Sequence, residues 1–350
     1  GDDIHIHGCI FTYCYCFDPD NYGGGAILIL YPCIVGIHDT LFDHCYTNSI
    51  RGGAILILAG GSPLDEIYMN ENGIRNDIGI FDCCFQYCHG NSDYKTYGVY
   101  GSSAYVTGVN LSFGDLSSVN SFNAYISQGA QIDIEGIRVY IDYNNVTGGI
   151  SLYCGGIEVK SSNRTGFLFN SFAYIQGSYI LSVSSIEMMV FLSRCQFISN
   201  NINSTDGNFT SALLHFKNCY EIIIDYSYFI SNELNGYDFA YIHDEFNDNT
   251  TIYLYFCYFD TNFEIGSNII TNNCGFGLQN ITAFSMPYVI SDCGNFTIKQ
   301  TRTFNQSFEF TSSNKFSLSD IFHSSNLFTA SSAFTASNTF TPSDVFTPSI

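Results

Sequence analysis

A short motif recurs along the first three quarters of the chain and constrains its fold more than any other feature. The motif has the pattern Cys/Ser/Thr-x-Phe-x-x-Cys/Asn. Its phenylalanines are Phe11, Phe42, Phe85, Phe197, Phe229 and Phe259. Residues two apart in a strand point to the same side, so the first residue and the phenylalanine of each copy are predicted to face a buried core. The last residue falls where the strand must bend, and asparagine tolerates the left-handed backbone conformation that such a turn requires.

The spacing of the repeats predicts the architecture. Phe197, Phe229 and Phe259 are 32 and 30 residues apart, and the segment Gly-Gly-Ala-Ile-Leu-Ile-Leu occurs at both 24–30 and 52–58. A strand-turn unit of about 30 residues is typical of the rungs of a parallel β-helix. We therefore predict an all-β chain, with one right-handed parallel β-helix (a solenoid) with irregular loops over residues 1–300. The segment from about 95 to 190 carries only weaker copies, among them Gly-Gly-Ile at 148–150 and 155–157.

A different repeat follows at residues 301–350. Phenylalanines recur there every six residues, and a serine follows each of them by three. The phenylalanines are Phe304, Phe310, Phe316, Phe322, Phe328, Phe334, Phe340 and Phe346. In an extended strand an even period keeps every phenylalanine on one side, which predicts an ordered assembly tail docked on the same or a neighbouring subunit. The alternative is a disordered, O-glycosylated Ser/Thr stalk.

Composition and charge exclude several classes of partner. Only 12% of the residues are charged and the net charge is −21, which argues against binding to nucleic acid or to an anionic membrane. No stretch of 18 apolar residues occurs, so no membrane insertion is expected within these residues. Nine N-x-Ser/Thr sequons favour N-linked glycans and an extracellular or cell-surface location. The sequons lie at Asn110, Asn145, Asn163, Asn203, Asn208, Asn249, Asn280, Asn295 and Asn305.

No residue pattern assigns a catalytic or metal site. His5, His7 and Cys9 alternate and could share one face of a strand; the alternative is that Ile4 and Ile6 face the core and the histidines face water. The acids of the 238–248 segment could bind Ca²⁺ loosely, although they lack EF-hand spacing. We expect no cofactor.

The fourteen cysteines follow the repeat rather than a zinc-site spacing. Cys9, Cys83, Cys195 and Cys257 occupy the same slot of the motif, which predicts a packing role. Stacked neighbours lie near the separation that a disulfide needs, so some are candidates for bridges, with the pairing open.

The combination of GGA[ILV] and FxxN resembles the paired repeats of the chlamydial polymorphic membrane proteins and of surface proteins of trichomonad-type protists. The matching copies are 24–27, 52–55, 197–200, 229–232 and 259–262. The resemblance implies a β-helical surface protein that acts in adhesion. The early copies depart from it, because cysteine replaces asparagine.

These observations predict a non-enzymatic extracellular structural protein. It would be a subunit of a surface coat or filament that binds copies of itself through the tail and the ends of the β-helix. One alternative is a monomeric cell-surface adhesin for a host or matrix ligand. A second is a β-helix polysaccharide lyase or hydrolase, whose chemistry needs carboxylates that converge on one groove.

Overall fold

The computed structural model describes a large part of the first of two units of the chain. The units are Gly1–Ile298 and Lys299–Ile350. The described residues are 3–17, 23–48, 51–59, 77–90, 103–114, 117–119, 122–123, 130–185, 189–203, 211–243, 250–260, 268–278 and 293. The predicted tail, 301–350, lies outside them.

The described residues form β-strands and no α-helix. In chain order the strands are β1 (Asp3–His7), β2 (Ile10–Thr12), β3 (Tyr15–Cys16), β4 (Ile27–Leu30), β5 (Ile34–His38), β6 (Leu41–Asp43), β7 (Tyr46–Thr47), β8 (Ile55–Leu58), β9 (Asp77–Phe81), β10 (Cys84–Gln86), β11 (His89–Gly90), β12 (Ala104–Gly114), β13 (Ser117–Val119), β14 (Phe122–Asn123), β15 (Ile132–Asp142), β16 (Asn145–Thr147), β17 (Cys154–Leu168), β18 (Ser171–Ala173), β19 (Gln176–Gly177), β20 (Tyr179–Ser185), β21 (Met189–Ser193), β22 (Gln196–Ile198), β23 (Asn201–Ile202), β24 (Ala212–Lys217), β25 (Glu221–Asp225), β26 (Tyr228–Ile230), β27 (Asp238–His243), β28 (Thr251–Tyr255), β29 (Tyr258–Phe259) and β30 (Ile269–Asn272).

These strands coil into a β-solenoid in which each strand pairs in parallel with strands of the neighbouring turns. The first face stacks ten strands in the order β1-β5-β9-β12-β15-β17-β21-β25-β28-β30. The second face stacks β2-β6-β10-β13-β16-β18-β22-β26-β29, and the third face consists of β3, β7, β11 and β14, with β19 and β23 further along. The fourth face consists of β4, β8, β20, β24 and β27 together with the amino-terminal halves of β12, β15 and β17. The predicted all-β parallel solenoid is confirmed.

The Gly-Gly segments form the corner that leads into the fourth face. Gly24 and Gly52 have φ angles of 81° and 59°, in the left-handed region that favours glycine. A Cβ atom on Gly24 would lie 2.1 Å from the carbonyl oxygen of Ile27, so this corner excludes a side chain. The copy at 155–157 stands in register with these corners, since Ile157 pairs with Ile132. The copy at 148–150 lies at a different corner, next to strand β16, so the prediction that it repeats the same corner is wrong.

Phenylalanine side chains form a stacked column in two segments inside the second face. Phe11, Phe42 and Phe85 stack with ring centroids 5.2 and 4.8 Å apart. The column resumes with Phe172, Phe197, Phe229, Phe259 and Phe276, at 4.9, 5.1, 4.7 and 4.7 Å. All the motif phenylalanines except Phe11 are fully buried. Successive turns therefore place identical rings in contact, and each ring covers the faces of its neighbours.

The left-handed residue of each corner precedes the motif residue that was expected to adopt that conformation. Ser199 and Ser231 have φ angles of 50° and 52°, whereas Asn200 and Asn232 follow them and point inward. The first corner, between the first and second faces, has the same geometry at Tyr226 and its equivalents. The prediction that asparagine supplies the left-handed conformation is therefore wrong. Its position requires a side chain that enters the core.

The side chains of the left-handed residues stack on the outside as corner ribs. In the rib along the first corner, Tyr143 stacks on Phe169 with centroids 5.0 Å apart, and the guanidinium group of Arg194 lies 5.0 Å from the Phe169 ring. Tyr226 and Phe256 continue the rib with centroids 4.9 Å apart. Left-handed backbone costs about 1–2 kcal/mol per non-glycine residue, and these contacts between turns offset part of that cost.

At several corners the inward residue that follows the left-handed residue donates a hydrogen bond to the preceding turn, whereas Gly149 and Ile175 at this position have no side-chain donor. Along the second corner, between the second and third faces, the acceptor is always the carbonyl oxygen of the motif phenylalanine or its equivalent. The bonds are Cys45 Sγ to Phe11 O (3.4 Å), Cys88 Sγ to Phe42 O (3.5 Å), Asn200 Nδ2 to Phe172 O (2.9 Å) and Asn232 Nδ2 to Phe197 O (2.9 Å). Cysteine and asparagine can therefore replace one another at the last position of the motif, because both can donate this bond.

Asparagine makes further bonds that cysteine does not match. Asn200 Oδ1 accepts a hydrogen bond from the backbone N–H of Ile175 (3.0 Å), and Asn232 Oδ1 accepts one from the N–H of Asn200 (3.1 Å). Asn200 Nδ2 also donates to Asn232 Oδ1 at 2.9 Å. The amide side chain thus satisfies an axial N–H group that the corner would otherwise leave buried without a partner.

Replacement of Asn200 tests this role. The Asn200→Ala variant leaves the Ile175 N–H and the Phe172 carbonyl buried without these bonds, which should lower the free energy of unfolding by about 3 kcal/mol or more. The Asn200→Cys variant retains a donor for the carbonyl and should lose less. Urea unfolding of both variants measures the difference, with the exposed Met189→Ala as a control expected to change stability by less than about 1 kcal/mol. Equal losses for the two Asn200 variants would contradict the proposed role of the donor.

One disulfide joins the described residues, between Cys84 of β10 and Cys293. It links residues 209 positions apart rather than stacked cysteines of adjacent turns. The other twelve cysteines have free thiols, and Cys83, Cys195 and Cys257 are fully buried in the core.

Candidate functional site

The largest group of charged side chains in the described residues lies on the outer side of the fourth face. Strands β15 and β17 alternate apolar and charged residues there: Ile132-Asp-Ile-Glu is in register with Ile157-Glu-Val-Lys. The isoleucines and Val159 fill the core, so the charged side chains point away from it. We call Asp133, Glu135, Glu158 and Lys160 the acidic cluster.

One ammonium group lies among all three carboxylates of the acidic cluster. Lys160 Nζ donates a hydrogen bond to Glu135 Oε1 at 3.0 Å and lies 3.9 Å from both Asp133 Oδ1 and Glu158 Oε1. Asp133 is completely buried and Glu158 is 7% exposed. Within the described residues, neither carboxyl oxygen of Asp133 accepts a hydrogen bond. The guanidinium group of Arg51 lies 5.4 Å from the ring of Tyr105, which pairs in register with Asp133.

Burial governs the protonation of this cluster. It raises the pKa of Asp133 well above its ordinary value, and Lys160 offsets only part of the effect. The pKa of Glu158 is raised for the same reason, with a further contribution from Glu135. Burial opposes the charge of Lys160, but the carboxylates of Asp133, Glu158 and Glu135 raise its pKa overall. The cluster therefore favours a charged lysine and the protonated forms of Asp133 and Glu158.

A second polar group continues the same face two turns further along. Ser182 Oγ and His215 Nδ1 are 3.0 Å apart, and both residues are buried. The His215 ring stacks on Tyr179 and Tyr241, with centroids 4.3 and 5.7 Å apart. Burial, followed by the charges of His243 and Lys217, lowers the pKa of His215 to about 4. A Ser–His pair is the arrangement that activates a nucleophile, but this serine is only 2% exposed.

An aromatic surface covers the second corner and third face of the first three turns. Tyr13, His44 and Tyr87 form one outer column, with centroids 4.8 and 4.9 Å apart. Tyr15, Tyr46 and His89 form a second column, at 4.2 and 5.0 Å. Tyr13 is 72% exposed and Tyr87 is 39% exposed.

The candidate metal ligands of the sequence do not converge. Ile4 and Ile6 pack against the core and the histidines of β1 face outward, while the left-handed Gly8 (φ 64°) turns the chain before Cys9. His7 Nε2 pairs instead with Asp39 Oδ2 at 2.9 Å. In the parts of the chain that the structure describes, no three His, Cys, Asp or Glu side chains are arranged to hold a metal ion. Asp238 begins β27 and is exposed, and residues 244–248 lie outside the described residues.

The sequons fall into three groups. Asn203 is exposed, whereas Asn145 is buried in β16 at 7% exposure, which argues against a glycan there. Asn110 and Asn163 lie in strands, and their side chains are not described. The other candidates lie outside the described residues and are Asn208, Asn249, Asn280, Asn295 and Asn305.

Sequence reasoning missed the acidic cluster. The alternation in β15 was visible, but the segment with matching charges lies 25 residues further on and carries none of the motif residues. Only the register of the turns brings Glu158 and Lys160 beside Asp133. A search for alternating segments with charges at equivalent positions would have found the pair.

Comparison of the chain with family models, with curated proteins and with solved structures gave no match. Across the described part of the chain, no helix has the length and hydropathy to cross a membrane. The fold therefore defines the class, a parallel β-solenoid.

The acidic cluster predicts a pH dependence of stability. A buried acid with a raised pKa binds a proton on folding, so its contribution favours the folded state as the pH falls towards the ordinary value of about 4 and opposes it at higher pH. Lys160 stays charged between pH 5 and pH 8 and adds no slope. The Asp133→Asn variant should therefore lose less stability than the wild type between pH 5 and pH 8, measured by thermal unfolding. The exposed Asp238→Asn is the control and should retain the wild-type difference; an Asp133→Asn profile parallel to it would contradict the raised pKa.

Proposed function

We propose that this chain is a non-enzymatic structural protein of an extracellular surface, a subunit of a coat or filament whose main partner is a second copy of itself. Assembly proceeds through the repeat tail and the ends of the solenoid. The proposal includes a right-handed coil, because connections between parallel strands of one sheet are right-handed in about 98% of cases. It also includes N-linked glycans, no catalytic cofactor, and the kinship with polymorphic membrane protein-like repeats.

The observation that carries the proposal is the edge of the first described turn. Strands β1, β2 and β4 each have one strand neighbour in the described residues, on the side of the following turn. Large apolar side chains are exposed on this turn: Ile10 is 59% exposed, Phe17 70% and Tyr31 76%. A strand edge with apolar residues beside it is a template for the addition of another strand.

The length of the tail supports a partner beyond its own solenoid. Fifty extended residues span about 165 Å, whereas ten stacked strands span about 43 Å. A tail with one apolar row is therefore long enough to reach neighbouring subunits. The buried position of Asp133 and its pairing with an internal lysine support a structural role for the acidic cluster over contact with a substrate.

Sedimentation and electron microscopy of the full chain test the assembly. We expect filaments or large oligomers from the full chain and monomers from a chain that ends at residue 300. If the Phe row docks in an apolar groove, each Phe→Ala replacement should weaken docking by about 3–5 kcal/mol. The triple variant Phe322→Ala, Phe328→Ala, Phe334→Ala should therefore remain monomeric, while the control Ser325→Ala, Ser331→Ala, Ser337→Ala assembles. Unchanged assembly of the phenylalanine triple variant would contradict the hypothesis that the tail docks through its phenylalanine row.

The receiving edge has its own test. The Ile10→Lys variant places a charge on the exposed edge of the first turn and should reduce assembly. Met189→Lys, at an exposed apolar site in the middle of the solenoid, is the matched control and should leave it unchanged. If the two variants assemble equally well, the first turn is not the receiving edge.

The second candidate function is adhesion by a monomer, which the aromatic surface favours. The Tyr13→Ser and Tyr87→Ser variants should abolish saturable binding of a matrix or cell-surface ligand. Serine is tolerated at this corner, where Ser199 and Ser231 occupy equivalent positions. Tyr174→Ser, at an equivalent exposed position outside the aromatic surface, should bind normally. Binding that survives the first two changes would exclude this surface as the ligand site.

A further inference from the structure

Two cysteines occupy equivalent positions on adjacent turns of the solenoid. Strands β28 and β30 pair with Tyr255 opposite Asn272 at their last residues, so Cys257 and Cys274, two residues past the end of each strand, are in register. The N–H of Gly275 donates to the carbonyl of Cys257 at 2.9 Å, which maintains this register past the corner. Adjacent parallel strands lie about 4.8 Å apart, within the Cα separation that disulfides span.

The two thiols also point the same way. Each follows a left-handed corner residue, with φ angles of 52° at Phe256 and 53° at Asn273. Cys257 Sγ donates to the carbonyl of Ile224 and Cys274 Sγ to that of Leu254, each at 3.4 Å. Both side chains therefore enter the core on the same side of their turns. The register and the shared direction of the two side chains place the sulfur atoms on the same side of adjacent turns.

The pair is chemically asymmetric. Cys257 is fully buried, whereas Cys274 is partly exposed. The neighbouring Cys257 side chain lowers the pKa of Cys274 to about 6, although burial opposes this. The Cys274 side chain and burial raise the pKa of Cys257. Cys274 is therefore the thiolate that meets a reagent from solution, and Cys257 is the thiol that can resolve the product.

We propose that Cys257 and Cys274 form a reversible disulfide between adjacent turns by exchange with a low-molecular-weight disulfide such as oxidised glutathione. The Cys274 thiolate attacks one sulfur of oxidised glutathione, the sulfur–sulfur bond breaks, and one glutathione thiolate leaves. Cys257 then gives its proton to solvent, and its sulfur attacks that of Cys274 in the mixed disulfide and displaces the second glutathione. The two cysteines lose two electrons, and one oxidised glutathione becomes two reduced glutathiones. This proposal concerns the described turns alone and does not depend on the function proposed above.

The position of the pair gives the bond a structural effect. The bond would cross-link the turn of β28 and β29 to the turn of β30 along the column of inward corner residues. Cys195 belongs to the same column, but the equivalent positions on the neighbouring turns are Asn170 and Ser227, so it has no thiol on either side. It is therefore a matched control for burial and column without a partner thiol.

Mass spectrometry of the full chain tests the proposal. The protein is reduced under native conditions, freed of reductant, incubated with oxidised glutathione, blocked with iodoacetamide and digested. We expect a cross-linked peptide that joins Cys257 and Cys274, at least about tenfold more abundant than any cross-link of Cys195. The Cys195→Ser variant should give the same product. In Cys257→Ser, glutathione should remain attached to Cys274, because the resolving thiol is missing.

The pH profile of alkylation provides a readout that is independent of the cross-link. With Cys257→Ser, whose hydroxyl can still donate to Cys274, the alkylation rate of Cys274 should be half-maximal near pH 6. With Cys257→Ala, which removes the donor, the midpoint should shift upward. A persistent glutathione adduct on Cys274 of the wild-type chain, or equal midpoints in the two variants, would overturn the proposal.

Discussion

The hydrogen bond from an inward corner side chain to a carbonyl of the preceding turn is the constraint on which the solenoid depends. It occurs along both corners that flank the second face: Asn200 bonds to Phe172 at one and Asn170 bonds to Ile141 at the other, at 2.9 and 2.7 Å. A slip of one residue in a parallel strand would turn the apolar side chains outward, and these bonds oppose such a slip at each corner where the inward residue is such a donor. The stacked phenylalanines add contact area, but rings alone would tolerate sliding. The hydrogen-bond donors define the register between turns, and the phenylalanine rings fill the core.

This constraint explains how one motif accepts chemically different residues. Cysteine, serine and asparagine share a small size and a donor. Along the first corner Cys195 bonds to Phe167 and Asn170 bonds to Ile141 of the preceding turn, whereas Ser227 donates to Asp225 of its own turn. Asparagine adds an acceptor for the axial N–H group, and serine can do the same, as Ser227 Oγ does for the N–H of Cys195 at 3.1 Å. A thiol is a weaker hydrogen-bond donor than an amide at this corner position, yet it places a reactive group at the fixed spacing between turns.

The sequence predicted the parts of the structure that repeat within a single turn. The buried Phe197 and the Gly24 corner follow from local patterns, because alternation and backbone freedom act over two to four residues. The left-handed residue was misplaced by one position, since Ser199 carries no conformational signal of its own. The acidic cluster and the Cys84–Cys293 disulfide could not be predicted, because both depend on which distant segments become neighbours. The register between turns, rather than any local propensity, decides that.

At each corner, two consecutive residues have different roles on opposite sides of the backbone. At each corner one residue enters the core and fixes the register, while the residue before it must point outward because its backbone is left-handed. Tyr226, Arg194 and Phe169 occupy equivalent external positions although their chemistry differs. The outer position can therefore change identity without disturbing the inner one. Adjacent turns lie about 4.8 Å apart, so the outer positions along a corner form a regularly spaced row. Each turn can present a different side chain in that row.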